Sequence, residues 1–116
     1  MNLLLVDDEA ITLKTLKIVV PWNDLGIHEV FTACNIIEAK EILKTQAVQI
    51  VITDIEMPNG SGLDLISWMQ EHTPDIVKIL LTCHSRFDYA SMALKCGAMD
   101  YLLKPIDLKE IEEIIH

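Results

Sequence analysis

The sequence predicts an α/β fold, a doubly wound parallel sheet with helices on both faces. Short aliphatic runs recur along the chain at Leu3 to Val6, Ile27 to Thr32, Ile50 to Thr53, Val77 to Leu81 and Met99 to Leu103, each ending in turn or charged residues. Helical periodicity fills the intervals between them. A hydrophobic content of 51% suits a sheet covered on both faces. The 116 residues fit one compact domain with a single core.

The helices follow from the spacing of apolar residues. Leu13, Leu16 and Val20 define the first, and Ile36, Ala39 and Leu43 the second. The segment Leu63 to Gln70 supplies the third, with Ile66 and Met69 inward. Phe87, Ala90 and Leu94 define the fourth, and Leu108, Ile111 and Ile115 the fifth. Asn35 with Glu38, Ser85 with Asp88, and Asp107 with Glu110 read as N-caps followed three residues later by an acid. Gly97 is a C-terminal stop for the fourth helix.

Charged residues close three of the strands. Asp7 and Asp8 follow Leu3-Leu4-Leu5-Val6, Asp54 follows Ile50-Val51-Ile52-Thr53, and Lys104 follows Tyr101-Leu102-Leu103. If these runs are neighbouring parallel strands, three carboxylates and one ammonium meet at the carboxyl edge of the sheet, where open α/β sheets bind ligands. Carboxylates so close repel one another and call for a counter-charge. Oxygen-only donors favour a hard cation such as Mg²⁺, and the absence of His or Cys from the group argues against zinc. Mg²⁺ and Lys104 together would leave the resting site near neutral. Phosphorylation of one carboxylate would add about one further negative charge. Such transfer is catalysed mainly by positioning and charge neutralisation. The simpler reading, Asp as a cap or turn residue, is weak for two Asp-terminated strands plus a Lys-Pro after a third.

The blocks LLLVDDE, VITDIEMP, ILLTCHS and DYLLKPI, in this order, resemble the receiver domain of two-component response regulators over essentially the whole chain. The resemblance implies a flavodoxin-like (βα)5 sandwich of strand order 2-1-3-4-5. It implies that Asp54 is the phosphoacceptor, that Asp8 and Asp54 bind the metal directly and Asp7 through water, and that the Glu56 backbone carbonyl completes the site. Thr82 matches the switch hydroxyl, Tyr101 the switch aromatic and Lys104 the phosphate-binding lysine. Lys104-Pro105 matches a junction that is usually cis in receivers. The stretches WNDLGI (Trp22 to Ile27) and FDYA (Phe87 to Ala90) are similar to receivers attached to AraC-type helix-turn-helix domains, although Trp22 alone reads equally as a core aromatic. The loop Asn59-Gly60-Ser61-Gly62 departs from the family, which often has a bulky apolar and an acidic residue where Gly60 and Ser61 stand.

A net charge of −9 argues against direct nucleic-acid binding by this domain. With no leader pattern and no membrane-length apolar run, the protein reads as cytoplasmic. Cys34, Cys83 and Cys96 lack metal-site spacing and are expected as buried free thiols. The four histidines are scattered, with His84 expected in a solvent-facing loop.

The expected function is a switch rather than an enzyme. A sensor histidine kinase phosphorylates Asp54, and the change controls a C-terminal output domain, which the abrupt end in the fifth helix suggests was cut away. A DNA-binding transcription regulator is the expected output. A homodimer through the fourth helix, fifth strand and fifth helix would follow phosphorylation. The alternatives are an Mg²⁺-dependent aspartyl-phosphate phosphatase and an unphosphorylated interaction module. The phosphatase needs an acid beyond the first-strand nucleophile to protonate a leaving group, whereas the run here is Asp7-Asp8-Glu9. The interaction module would have lost the acceptor or the lysine, and both are kept.

Overall fold

Parallel pairing sets the frame of the molecule. The computed structural model describes residues 1–54, 62–82, 100–103, 111 and 113; at Leu63, Thr82 and 100–103 it describes the backbone alone. The strands are β1 (Asn2–Val6), β2 (Glu29–Ala33), β3 (Ile50–Asp54), β4 (Val77–Thr82) and β5 (Asp100–Leu103). The helices are α1 (Ala10–Val19), α2 (Ile36–Thr45) and α3 (Gly62–His72), with a short 3₁₀ turn at Trp22–Leu25. The sheet order is β2-β1-β3-β4-β5, all parallel, as the resemblance implies. Ile111 and Glu113 are helical. The predicted fourth helix, its Gly97 stop, the caps at Ser85 and Asp107, and Cys83, Cys96 and His84 lie outside the described residues.

Side-chain alternation divides the sheet into two cores. Leu3 and Leu5 of β1, Ile50 and Ile52 of β3, and Ile79 and Leu81 of β4 face Leu13 and Leu16 of α1 together with Ile111. Leu4, Val6 and Val51 face Ala39 and Leu43 of α2 and Leu65 and Met69 of α3. The inward placement of Ile66 and Met69 agrees with the sequence spacing.

Three local expectations need correction. The second strand begins two residues later than predicted, because the chain first closes a turn. Trp22 is buried and donates its Nε1–H to the Leu16 carbonyl at 3.1 Å, and the Ile27 N–H returns to the Trp22 carbonyl at 2.9 Å. Gly26 ends that turn at φ +85°, a left-handed conformation that glycine adopts without cost, and no atom crowds the place of a Cβ. Ile27 is therefore core without being strand. The third helix runs from Gly62 to His72, two residues further than predicted at its C-terminus. Cys34 is exposed rather than buried, since it precedes the α2 cap in a surface connection. That cap is as predicted in its first half: Asn35 Oδ1 accepts from the Glu38 N–H at 2.9 Å. Its second half is displaced by one residue, with Glu38 Oε2 accepting from the Cys34 N–H at 3.1 Å.

One buried residue in this sheet is cationic. Lys78 of β4, paired with Val51, is only 2% exposed, yet its Nζ donates to the Pro74 and Ile76 carbonyls at 3.2 and 3.0 Å at the amino edge of the sheet. Its stem is core while its ammonium reaches the loop. Desolvation pulls its pKa below the ordinary 10.5, and the charge of Asp75 opposes the shift. The folded state then binds this proton less well than the unfolded chain, so stability should rise as pH climbs through the lowered pKa toward 10.5. Lys78→Met should flatten that alkaline rise while changing stability near neutral pH by no more than about 1 kcal/mol. Urea unfolding across a pH series checks this, and an unchanged alkaline slope would refute it.

Candidate functional site at the carboxyl edge of the sheet

Register and alternation together bring the acids to one place. β1 pairs with β3 from Leu3↔Ile50 to Val6↔Thr53, so the next level of the ladder carries Asp7 and Asp54. Both follow residues of the same face, Leu5 and Ile52. Carboxylate oxygens of Asp7, Asp8 and Asp54 all lie within 4.8 Å of one another. Asp7 is 1% exposed and Asp54 8%, while Asp8 stands exposed at the mouth. One side of the site is thus closed by protein and the other open to solvent.

Hydrogen bonds orient the two buried acids. The Asp7 N–H donates to the Ala33 carbonyl at 3.1 Å, continuing the β1–β2 ladder one step beyond the strand. Asp7 Oδ1 accepts from the Glu9 N–H at 3.0 Å, which turns the chain into α1. The buried Thr53 hydroxyl donates to the Asp54 carbonyl at 3.1 Å. The sequence reading missed both supports. Glu9 acts through its backbone and leaves no signature in side-chain type. Thr53 is visible in the sequence only as the one hydroxyl in an otherwise aliphatic run.

The donor set fits a hard divalent cation: three carboxylates, no nitrogen or sulfur, close enough to share one ion, and one face open for water. Asp7, Asp8 and Asp54 are the residues that would hold it. Of the other predicted site residues, Glu56, Lys104 and Pro105 lie outside the described residues, as do the side chains of Thr82 and Tyr101. The backbone places Thr82 at the end of β4 beside Leu103, and Tyr101 beside Leu80.

A family model described as the response regulator receiver domain matches residues 3–116. The chain belongs to that family. The response regulator protein PilR of Pseudomonas aeruginosa is 36% identical to this receiver over 112 residues, 97% of the chain and 24% of PilR. A two-component transcriptional regulator AraC from Clostridium phytofermentans superimposes with a TM-score of 0.85 at 28% identity, covering 99% of this chain and 88% of that one. The beryllofluoride-activated NtrC4 receiver domain dimer gives 0.87 at 32% identity, covering 98% and 92%. The receiver spans between 24% and 45% of the length of the curated relatives it matches. It is a signalling domain of two-component systems rather than a classical enzyme. Among the described residues, no helix is long and apolar enough to cross a membrane.

Proposed function

We propose that this receiver is a phosphorylation-controlled switch whose acceptor is Asp54. The observation that carries the reading is the convergence of Asp7, Asp8 and Asp54 at the ends of two adjacent strands. A carboxylate oxygen of Asp54 attacks the phosphorus of a phosphohistidine on a sensor kinase. The P–N bond breaks, a P–O bond to the carboxylate forms, and the imidazole, already protonated on its other ring nitrogen, leaves neutral. Asp8 and Asp54 would hold Mg²⁺, with Asp7 through water and the Glu56 carbonyl as further ligands. When bound, the cation offsets the negative charge that phosphorylation adds. Lys104 would pair with a phosphoryl oxygen.

The kinase needs a surface beside the acceptor. α1, which starts two residues after Asp8, leaves Ile11 and Ile18 79% and 81% exposed on one stripe, with Lys14 and Lys17 exposed alongside. Exposed apolar residues at helical spacing suit a partner helix. The output is a DNA-binding transcription regulator in the same, longer cytoplasmic protein, a reading supported by the transcriptional regulator among the similar structures. Phosphorylation draws the Thr82 hydroxyl toward the phosphoryl group and lets Tyr101 turn inward. This shifts a pre-existing equilibrium and favours a homodimer through the fourth helix, β5 and the fifth helix. The dimeric state of a beryllofluoride-activated relative supports that last step.

Three experiments test these steps. Incubation with acetyl phosphate and Mg²⁺ should give one adduct on the wild type, none on Asp54→Asn, and at least tenfold slower labelling of Asp8→Ala. Mass spectrometry reads the result; continuous turnover would favour a phosphatase, and label elsewhere on Asp54→Asn would remove the acceptor assignment. Thr82→Ala should still be labelled but should dimerise less on beryllofluoride treatment, as seen by sedimentation; an undiminished response would place the signal on another route. Ile18→Glu should slow transfer from the kinase at least tenfold and leave acetyl phosphate labelling unchanged. Equal loss from both donors would mean that the helix, not the docking, was damaged.

A further inference from the structure

A donor protein that reaches Asp54 must cover the side of the acidic site on which Asp8 is exposed. Protein–protein contacts take about 600–800 Å² on each partner, a disc of roughly 14–16 Å radius. Two exposed isoleucines belong to that disc. Ile11 follows Asp8 by three residues, a reach of at most about 11 Å along the chain. Ile37 follows Cys34 by the same three residues, and Cys34 is the next rung after Val6↔Ala33, beside Asp7 and about 5 Å from it. The α2 cap shortens the second reach, because Asn35 Oδ1 and Glu38 Oε2 fold the first turn of the helix back onto the end of β2.

The two isoleucines flank the acids from opposite faces of the sheet: α1 packs with Leu3 and Leu5, α2 with Leu4 and Val6. Ile11 is 79% exposed and Ile37 67%. A single exposed apolar side chain is ordinary; a pair across the acidic site, each with its own charge beside it, is a patterned surface. α1 carries Lys14 and Lys17 and no acid. On α2 the exposed charged residues nearest Ile37 are Glu38 and Glu41, with Glu41 one turn on and on the same stripe. Lys40, between them, is half-buried and lies over the Trp68 ring at 5.4 Å. The rim of the site is therefore basic on the α1 side and acidic on the α2 side.

We infer that the kinase straddles the acidic site, and that Ile37 and Glu41 at the start of α2 are its second contact: an apolar and basic part of the kinase sits there, while an apolar and acidic part sits on α1. This rests on the reading of Asp54 as the acceptor from a sensor kinase. Opposite charges on the two rims fix which way round the kinase docks, since the reversed orientation would bring like charges together. Ile37 adds apolar area removed from water. It touches none of the reacting atoms, so its effect falls on docking rather than on the transfer step.

The test uses a sensor kinase that, autophosphorylated with ATP, labels the wild-type receiver, with transfer measured against receiver concentration. Ile37→Gln should raise the half-saturating concentration about tenfold and leave the maximal rate within about twofold, while Ile37→Leu, which keeps the apolar surface, stays near wild type. Glu41→Lys should raise the half-saturating concentration several-fold at low ionic strength, and the difference should vanish near about 0.5 M salt. Acetyl phosphate labelling and the thermal midpoint should be unchanged in all three, since both positions are exposed. Wild-type half-saturation in Ile37→Gln overturns the inference, and so does a Glu41→Lys receiver that docks as well or better at low salt. A parallel loss with acetyl phosphate overturns it too, because the substitution would then act on the acceptor and not on docking. If acetyl phosphate labels Asp54 but no kinase labels the wild type, it is the kinase reading that fails, before any variant is compared.

Discussion

The pairing of β1 with β3 is the constraint on which the site depends. In a parallel ladder a slip of one residue turns every side chain to the other face. Here a slip of β1 against β3 would carry Leu3 and Leu5 from the α1 core into the α2–α3 core while Ile50 and Ile52 kept their face, and would separate Asp7 from Asp54 in height and in face. The buried aliphatic residues on both faces of both strands make that slip expensive, at about 1.5–3 kcal/mol for each large side chain displaced from the core. Two apolar cores thus fix the position of polar groups that contribute nothing to either of them.

Those polar groups work against the fold that holds them. Two ionised carboxylates within 4.8 Å of each other, as the oxygens of this group are, would repel by about 3 kcal/mol at an effective dielectric constant near 20. Left without a counter-charge, that repulsion would burden a domain of ordinary stability. A cation that binds the folded state alone relieves it and stabilises the domain in proportion to its own binding. Repulsion among the acids and affinity for a cation would then be one property seen from two sides, because the strands leave the acids little room to separate.

Much of this was legible in the sequence because it is written in periodicity and side-chain type. The five strands, the inward faces of α1, α2 and α3, the Asn35 cap and the three acids follow from spacings that survive folding. The misses share a cause: they depend on where the backbone turns. Ile27 has the composition of a strand residue but belongs to the turn that Trp22 closes and Gly26 ends. Cys34 has the composition of a core residue but precedes a helix cap. Glu9 supports Asp7 through a backbone N–H that every residue but proline possesses. None of these is visible until the chain has a path.

The same cause explains why the acidic residues stand where they do. At a strand end the ladder stops supplying hydrogen bonds, and the backbone groups there must find other partners or water. At this edge they find side chains and neighbouring backbone: Asp7 Oδ1 takes the Glu9 N–H, the Thr53 hydroxyl meets the Asp54 carbonyl, and the Asn35 and Glu38 side chains tie down the start of α2. A carboxylate one step earlier would be locked in the sheet and shielded from a phosphodonor. One step later it would ride on a loop, without the ladder to hold it beside its neighbours. The last rung offers both rigidity and access, and Asp54, paired with Leu81 of β4, occupies it.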